Sequence, residues 1–495
     1  MSQPSPDTPR PTNAPHPFDL PSGDLILRTA DFVDFRVHTL QPHPSAPHAD
    51  AEAQTTPVVP VSEDSATLEL LLRLVYPISK PRAKMEDPHM IVPALQAAAK
   101  YEMELPVDIL SERLIAIVPK SPLQVWAAAC RTGLEDVARQ AAVALRTSWA
   151  RDGTGEVLSF MDDLGDMSGI SAADYLRLKQ FLKAEQSVID EGKLALLSPP
   201  VERRRKQPQR RSFKPPRPFS TKLPHPDVTC RSSSQTGSQM SFAAHQAVLH
   251  MHSSDLGTRL AELQDVPVSE DVSTPAAVVL DFDEDADVLS ALLEACYSLG
   301  GTLPTDQTRL ARVLVASEKY HMRLIGSKAR EAWDQAAILH PLEAYFVAIN
   351  HGLNKCAEEA ARNALRKPVG DYTAVMESAP ALAYHRLLIY YDACRQIFKE
   401  ALENISRRIP PYISNYYNVS TTPLQHVITN FVASAHGVPA KATIQNGCQQ
   451  GLTHAVSTQI DNASLHTVFV PLIECMTSAA DAIESAIDDV RLQFA

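Results

Sequence analysis

Two histidines first invite chemistry in this chain, each closing an F-x-x-H string: His38 in "FRVH" and His245 in "FAAH". An imidazole can act as a general base or a metal ligand. Neither histidine has Cys, Asp or Glu at ligand spacing beside it, so each is poor evidence for a metal site. The "HMH" string (His250 to His252) invites a metal again, but side chains at i and i+2 of a helix point apart. The acidic run "DFDEDAD" (Asp281 to Asp287) lacks the central glycine and the twelfth-position glutamate of a calcium loop. It reads instead as the solvated start of a helix running from Asp287, where acids favour the N-terminal dipole.

Other chemistry is poorly supplied. With 17 glycines and no GxxxxGK, GxGxxG or GxSxG string, the chain offers neither a phosphate cradle nor a nucleophile elbow. No catalytic, cofactor-binding or metal residues are therefore expected, no cofactor, and no enzyme. "RRRKQPQRR" (Arg203 to Arg211) is the densest charge block, read either as a solvated basic linker or as a nuclear signal. "KPPRP" (Lys214 to Pro218) matches a polyproline ligand by composition alone. Asn418 and Asn462 sit in formal glycosylation sequons that an intracellular chain would not use.

The positioning scaffold has to come from 495 residues, 44% apolar and 21% charged, too many for one core and suited to two or three domains. Thirty-eight prolines point to long unstructured stretches, and a formal charge of −12 argues against wholesale nucleic-acid binding. The seven cysteines (130, 230, 296, 356, 394, 448 and 475) are scattered, as expected of reduced thiols inside a cell. No apolar run is long enough for a membrane span, and no signal-peptide core opens the chain.

Patterning divides the chain. Residues 1–17 are Pro-rich and expected to be disordered. Leu25, Leu27, Phe32, Phe35 and Val37 alternate like a strand pair. "SATLELLLRLVY" places Leu68, Leu71, Leu72 and Val75 on one helical face stopped by Pro77, and Ser121 with Pro122 opens another helix. Residues 191–224 lose all periodicity and read as a basic, Pro-rich linker. Beyond it the pattern returns: "KYEMEL" (Lys100 to Leu105) recurs as "KYHMRL" (Lys319 to Leu324), 219 residues later. At that displacement thirteen of the forty-six ungapped pairs from residue 100 to 145 are identical, among them Tyr101/Tyr320, Pro122/Pro341 and Gly133/Gly352. "LLLRLVYP" also aligns with "ALLEACYS", placing Tyr76 over Tyr297, and a "VPVSED" string occurs in both halves at a shifted distance. The chain is a tandem duplication of a whole domain.

The strings "DLILRTADFVDFRVH", "SATLELLLRLVYPI", "AAAKYEMELPVDILSERL" and "SPLQVWAAACRTGLEDVA" resemble the BTB/POZ domain proteins of basidiomycete fungi, with a truncated first copy and a diverged second. The resemblance implies an α+β, mostly helical fold. Each of two BTB/POZ-like units has a small sheet and a helical extension: residues 18–190 (with a disordered insert at about 39–57) and 225–400. Residues 401–495 form a helical C-terminal region. In the family a helix follows the F-x-x-H histidine and helps build the dimer surface. The second copy keeps it in "HQAVLHMHSSDLGTRLAEL", whereas Pro42, Pro44 and Pro47 forbid it in the first.

The implied function is protein–protein interaction as a non-enzymatic scaffold or adaptor, including substrate adaptor of a cullin-type ubiquitin ligase. Self-association or internal pairing of the two units is a further expectation. The rival reading is a nuclear transcriptional regulator that uses the Arg-rich linker. Partners are then proteins, with no membrane and no nucleic acid expected, in the cytoplasm or, through residues 203–211, the nucleus. In the C-terminal region Phe469, Ile473, Met476, Ala480, Ile483, Ile487, Val490 and Phe494 make one helical stripe. Its acidic flanks (Asp481, Glu484, Asp488, Asp489) disfavour a self-paired coiled coil and favour packing onto the second domain.

Overall fold

The computed structural model describes residues 10–38, 56–76, 78, 87–152, 161, 164–184, 195–197, 226–233, 239–264, 278–297, 303–365, 369–408, 481–482 and 484–492. The basic block, both sequons, the second "VPVSED" string, residues 39–55 and most of the C-terminal stripe lie outside them. The fold is α+β and mostly helical, and it divides into two compact units. One is Met1–Ile170 with Arg177–Ser198, the other Ser171–Leu176 with Pro199–Ala495.

In the first unit a four-stranded sheet has the order β1-β3-β2-β4: β1 (Thr12–Asn13), β2 (Leu25–Arg28), β3 (Val33–Val37) and β4 (Val58–Pro60). β2 and β3 are antiparallel, with Leu27 opposite Phe35, and β4 runs parallel to β2. The alternation of Leu25, Leu27, Phe35 and Val37 thus marks a true hairpin. Phe32 departs from that reading: it sits in the turn at φ 61° and is exposed. Helices α1 (Ser65–Val75), α2 (Pro88–Lys100), α3 (Glu104–Ile117), α4 (Pro122–Thr132) and α5 (Glu135–Asp152) follow. α6 (Ala172–Lys183) starts in the short segment counted with the second unit. Asp64 caps α1 through Thr67 N at 2.8 Å, and Asp87 caps α2 ahead of Pro88. Ser121 occupies the N-cap of α4 without a side-chain cap bond.

α1 buries Thr67, Leu68, Leu70, Leu71 and Leu74 and leaves Val75 47% exposed, so its inner face is rotated from the expected stripe. The reason is that α1 is covered on two sides. Leu68 and Leu72 meet Phe18 and Phe35 of the sheet cluster, and the helix also packs on α2 and α3.

Two boundaries differ from the expectation. Residues 10–17 are part of the fold: Thr12 N donates to Phe32 O and Ala14 N to Asp34 O, adding a parallel edge strand. Prolines are tolerated there because an edge strand needs only alternate donors. The expected linker also starts too early. Leu196 and Leu197 are buried, and their amides donate to the two carboxylate oxygens of Glu135 at 3.0 and 2.9 Å.

The second unit repeats the plan. β5 (Val228–Arg231) pairs antiparallel with β6 (Ser241–Ala244) and parallel with β7 (Val278–Asp281), in the order β6-β5-β7. Between β6 and β7 lie α7 (Gln246–His252) and α8 (Ser254–Gln264). There follow α9 (Ala286–Tyr297), α10 (Gln307–Lys319), α11 (Arg323–Leu339), α12 (Pro341–Asn350), α13 (Asn354–Ala364) and α14 (Ala381–Arg408). α14 carries the helical extension past the expected limit at residue 400, with no break at that point.

The duplication survives in detail. Gly133 and Gly352 both adopt left-handed backbone, φ 74° and 70°, where the chain turns between paired helices. Glu102 and His321, also 219 residues apart, are left-handed at φ 55° and 52°. Trp126 and Tyr345 are equivalent core positions, both buried. By their contacts the counterparts of Ser62–Asp64 are Asp283–Asp285, which precede the equivalent helix and meet the equivalent Lys-Tyr pair.

Candidate functional site

That Lys-Tyr pair anchors a node present in each unit. Glu63 accepts from Lys100 Nζ at 2.8 Å and from Tyr101 Oη at 2.5 Å. Glu284 accepts from Lys319 Nζ at 3.0 Å and from the Tyr320 hydroxyl. Burial alone would raise the Glu63 pKa, but the bonds from Lys100 and Tyr101 outweigh it and bring it to about 2. Burial and the Glu284 carboxylate push Tyr320 up to about 12. These are saturated, structural contacts that tie the strand-to-helix loop to the end of the α2 or α10 helix.

The acids of residues 281–287 are engaged rather than merely solvated. Asp281 pairs with Arg231 at 2.6 Å, Asp283 with Lys319 at 2.8 Å and Asp285 with Arg312 at 2.7 Å. Asp285 also caps α9 through Val288 N at 3.0 Å.

The two F-x-x-H histidines occupy equivalent places. The backbone amide of His38 donates to Tyr76 Oη at 2.9 Å, and that of His245 donates to Tyr297 Oη at 2.7 Å. In the second unit the imidazole joins in, with Nδ1 2.7 Å from the same hydroxyl. A hydroxyl that accepts from the amide has its proton free for Nδ1, which places the ring proton on Nε2. Burial pushes Tyr297 up to about 12, so it keeps that proton. Tyr297→Phe is therefore expected to cost about 1–2 kcal/mol in denaturant unfolding, because the His245 amide loses this acceptor. A change below the error of the measurement would refute the role.

Around this pair the second unit opens a groove of about 880 Å³ between α7, the end of α9 and the start of α11. Val248, Met251 and Leu324 supply its apolar wall; Met251 is 76% and Leu324 53% exposed. His250, His321, Arg323 and Asp255 supply polar groups, with His321 Nδ1 2.6 Å from Asp255 Oδ2. The "HMH" histidines do diverge: His252 Nε2 donates to Cys296 O at 2.9 Å, while the His250 ring lies on Gly257. A Cβ at Gly257 would sit 1.8 Å from His250 Nδ1, so the two helices keep this contact only with glycine there.

Ser253 completes the corner and escaped the sequence reading. Its hydroxyl donates to Tyr320 O at 2.6 Å and accepts from Leu256 N at 3.1 Å, capping α8. The signal was available, since "SSD" ahead of Leu256 and Leu260 has the pattern of an N-cap.

No protein-family model matches the chain, and no characterised protein or solved structure matches it.

The groove's chemistry has to be read from its own residues. Among the described residues no three His, Cys, Asp or Glu side chains could share a metal. The five described cysteines are free thiols, of which Cys230 and Cys296 are pushed up to about 12 by burial. No helix among the described residues is long and apolar enough to cross a membrane. An open groove with an exposed thioether, an exposed leucine and a mixed-charge rim suits a peptide segment better than a small molecule, which would need a more enclosed site.

Proposed function

We propose that the protein is a non-enzymatic scaffold or adaptor, built as two BTB/POZ-type units, that binds a protein partner through the α7–α9–α11 groove of the second unit. The observation that carries the reading is the exposure of Met251 and Leu324 on one open groove. Large apolar side chains side by side in water mark interaction surfaces in well-packed proteins. Leu105, the counterpart of Leu324 in the first unit, is 58% exposed, so the duplication has retained an apolar residue where neither copy buries it. That retention favours contact with another molecule over packing within the unit. The first unit has no described counterpart of α7, so the second supplies the fuller surface. Substrate adaptor of a cullin-type ubiquitin ligase is the specific form of this proposal.

A photo-reactive residue at position 251 of the full chain tests the reading in cells, with the exposed Met90 position as control. Cross-links to a discrete protein are expected at 251 and lost by at least tenfold in Leu324→Glu. Equal labelling at 90 and 251 would sink the groove. A cullin among the cross-linked proteins would establish the adaptor role, and its absence beside another discrete partner would leave the scaffold alone.

A further inference from the structure

The last described residues lie on the helical extension of the second unit. Helical turns at 481–482 and 484–489 expose Asp481, Glu484, Asp488 and Asp489, half-bury Ile487 and Val490, and lead to Leu492 at 6% exposure. Val490 and Leu492 rest against Glu358 and Arg362 of α13 and Tyr390 of α14. Arg362 Nη1 is 3.3 Å from Asp488 Oδ1. Of the expected C-terminal stripe, Val490 is placed against the second unit, and the buried anchor, Leu492, is not a stripe residue.

The hold is slight. One side chain of the segment is buried, and the ion pair is open to water, its partners 45% and 63% exposed, where salt screens it. Helical turns this short are marginal without tertiary support. The seat is lined by Tyr390, 4% exposed, whose hydroxyl interacts with Cys394 and with Arg362 itself. The seat is particular to the second copy, because exposed Val143 stands in the first where Arg362 stands in the second.

We propose that the α13–α14 face is a docking site for short acidic–aliphatic segments of the pattern Asp-x-x-x-Leu, and that Asp488–Leu492 is a self-ligand that fills it until a partner segment of that chemistry displaces it. Arg362 reads the carboxylate, and the surface over Tyr390 takes the leucine. The site is separate from the α7–α9–α11 groove and stands or falls without it. A tethered segment competes at an effective concentration on the order of millimolar, so a weak contact suffices to keep the seat occupied.

The test uses the full chain and a fluorescent peptide of residues 484–495, followed by anisotropy. Leu492→Glu in the protein frees the seat, and the peptide is expected to bind this variant at least tenfold more tightly than the unaltered chain. Adding Arg362→Glu to that variant should weaken binding at least tenfold, and Asp488→Arg in the peptide should restore it. The restoration separates a lost contact from a damaged fold. Equal binding to the Leu492→Glu and unaltered chains, absence of binding to both, or failure of the charge swap to restore binding would each overturn the proposal.

Discussion

Phe18→Ala is expected to lower the stability of the first unit by about 3–5 kcal/mol, the range for removing a fully buried aromatic ring. Phe18 is 1% exposed, 5.8 Å from the Phe35 ring and 5.4 Å edge-on to Tyr76. Its carbonyl accepts from Arg36 N at 2.8 Å, and Arg73 lies over its ring while donating to His16 O. The side chain therefore pins the N-terminal segment to both the sheet and α1. Losing it removes burial and aromatic contact, and it weakens the reason for β1 to pair with β3. A domain of this size responds with a fall in Tm of roughly 10 °C. Calorimetry on the full chain, with Trp126→Ala used to assign the first unit's transition, gives the shift. A change below 2 °C would mean that residues 10–18 are a passenger and that the boundary belongs where composition first suggests it.

Composition misplaces that boundary because Pro11, Pro15 and Pro17 are local signals, whereas the strand is made by a tertiary partner, the open edge of β3. The same holds for Leu196 and Leu197, two apolar residues beside a basic run, whose place is decided by Glu135 some sixty residues earlier. Elements whose information is local are legible. The β2–β3 alternation and the α4/α12 pair with its left-handed glycines follow from spacing and from repetition. Comparing the two copies substitutes for a relative, which is why the Tyr76/Tyr297 correspondence leads directly to a shared hydrogen bond. The groove is less legible: its apolar wall joins Met251 to Leu324, and nothing in the spacing of those two residues announces that α7 and the start of α11 meet.

The repeated node carries the second large effect, and its two copies differ in burial in a way that fixes the order of the outcomes. Glu284→Gln should cost about 3 kcal/mol. An amide has one acceptor oxygen where the carboxylate had two, so either Lys319 or the buried Tyr320 hydroxyl is left facing an N–H. Asp283→Asn removes a partner of the same Lys319, but an 88% exposed one that water and salt screen, and should cost far less than Glu284→Gln. Glu63→Gln falls between them. The Glu63 drop from 4.5 to about 2 corresponds to at most about 3 kcal/mol, and the half-exposed Lys100 and Tyr101 reduce it to about 2 kcal/mol. The sign follows from a folded pKa below the unfolded one: this stabilisation is complete above pH 4.5 and is lost as pH falls toward 2. Denaturant unfolding from pH 7 to pH 3 should therefore show the first unit weakening in the unaltered chain, and weakening less in Glu63→Gln. Parallel pH profiles for the two proteins would show that Glu63 is not held ionised by Lys100 and Tyr101. A cost at Asp283 equal to that at Glu284 would show that the charge on Lys319, rather than the buried geometry around Tyr320, holds the node.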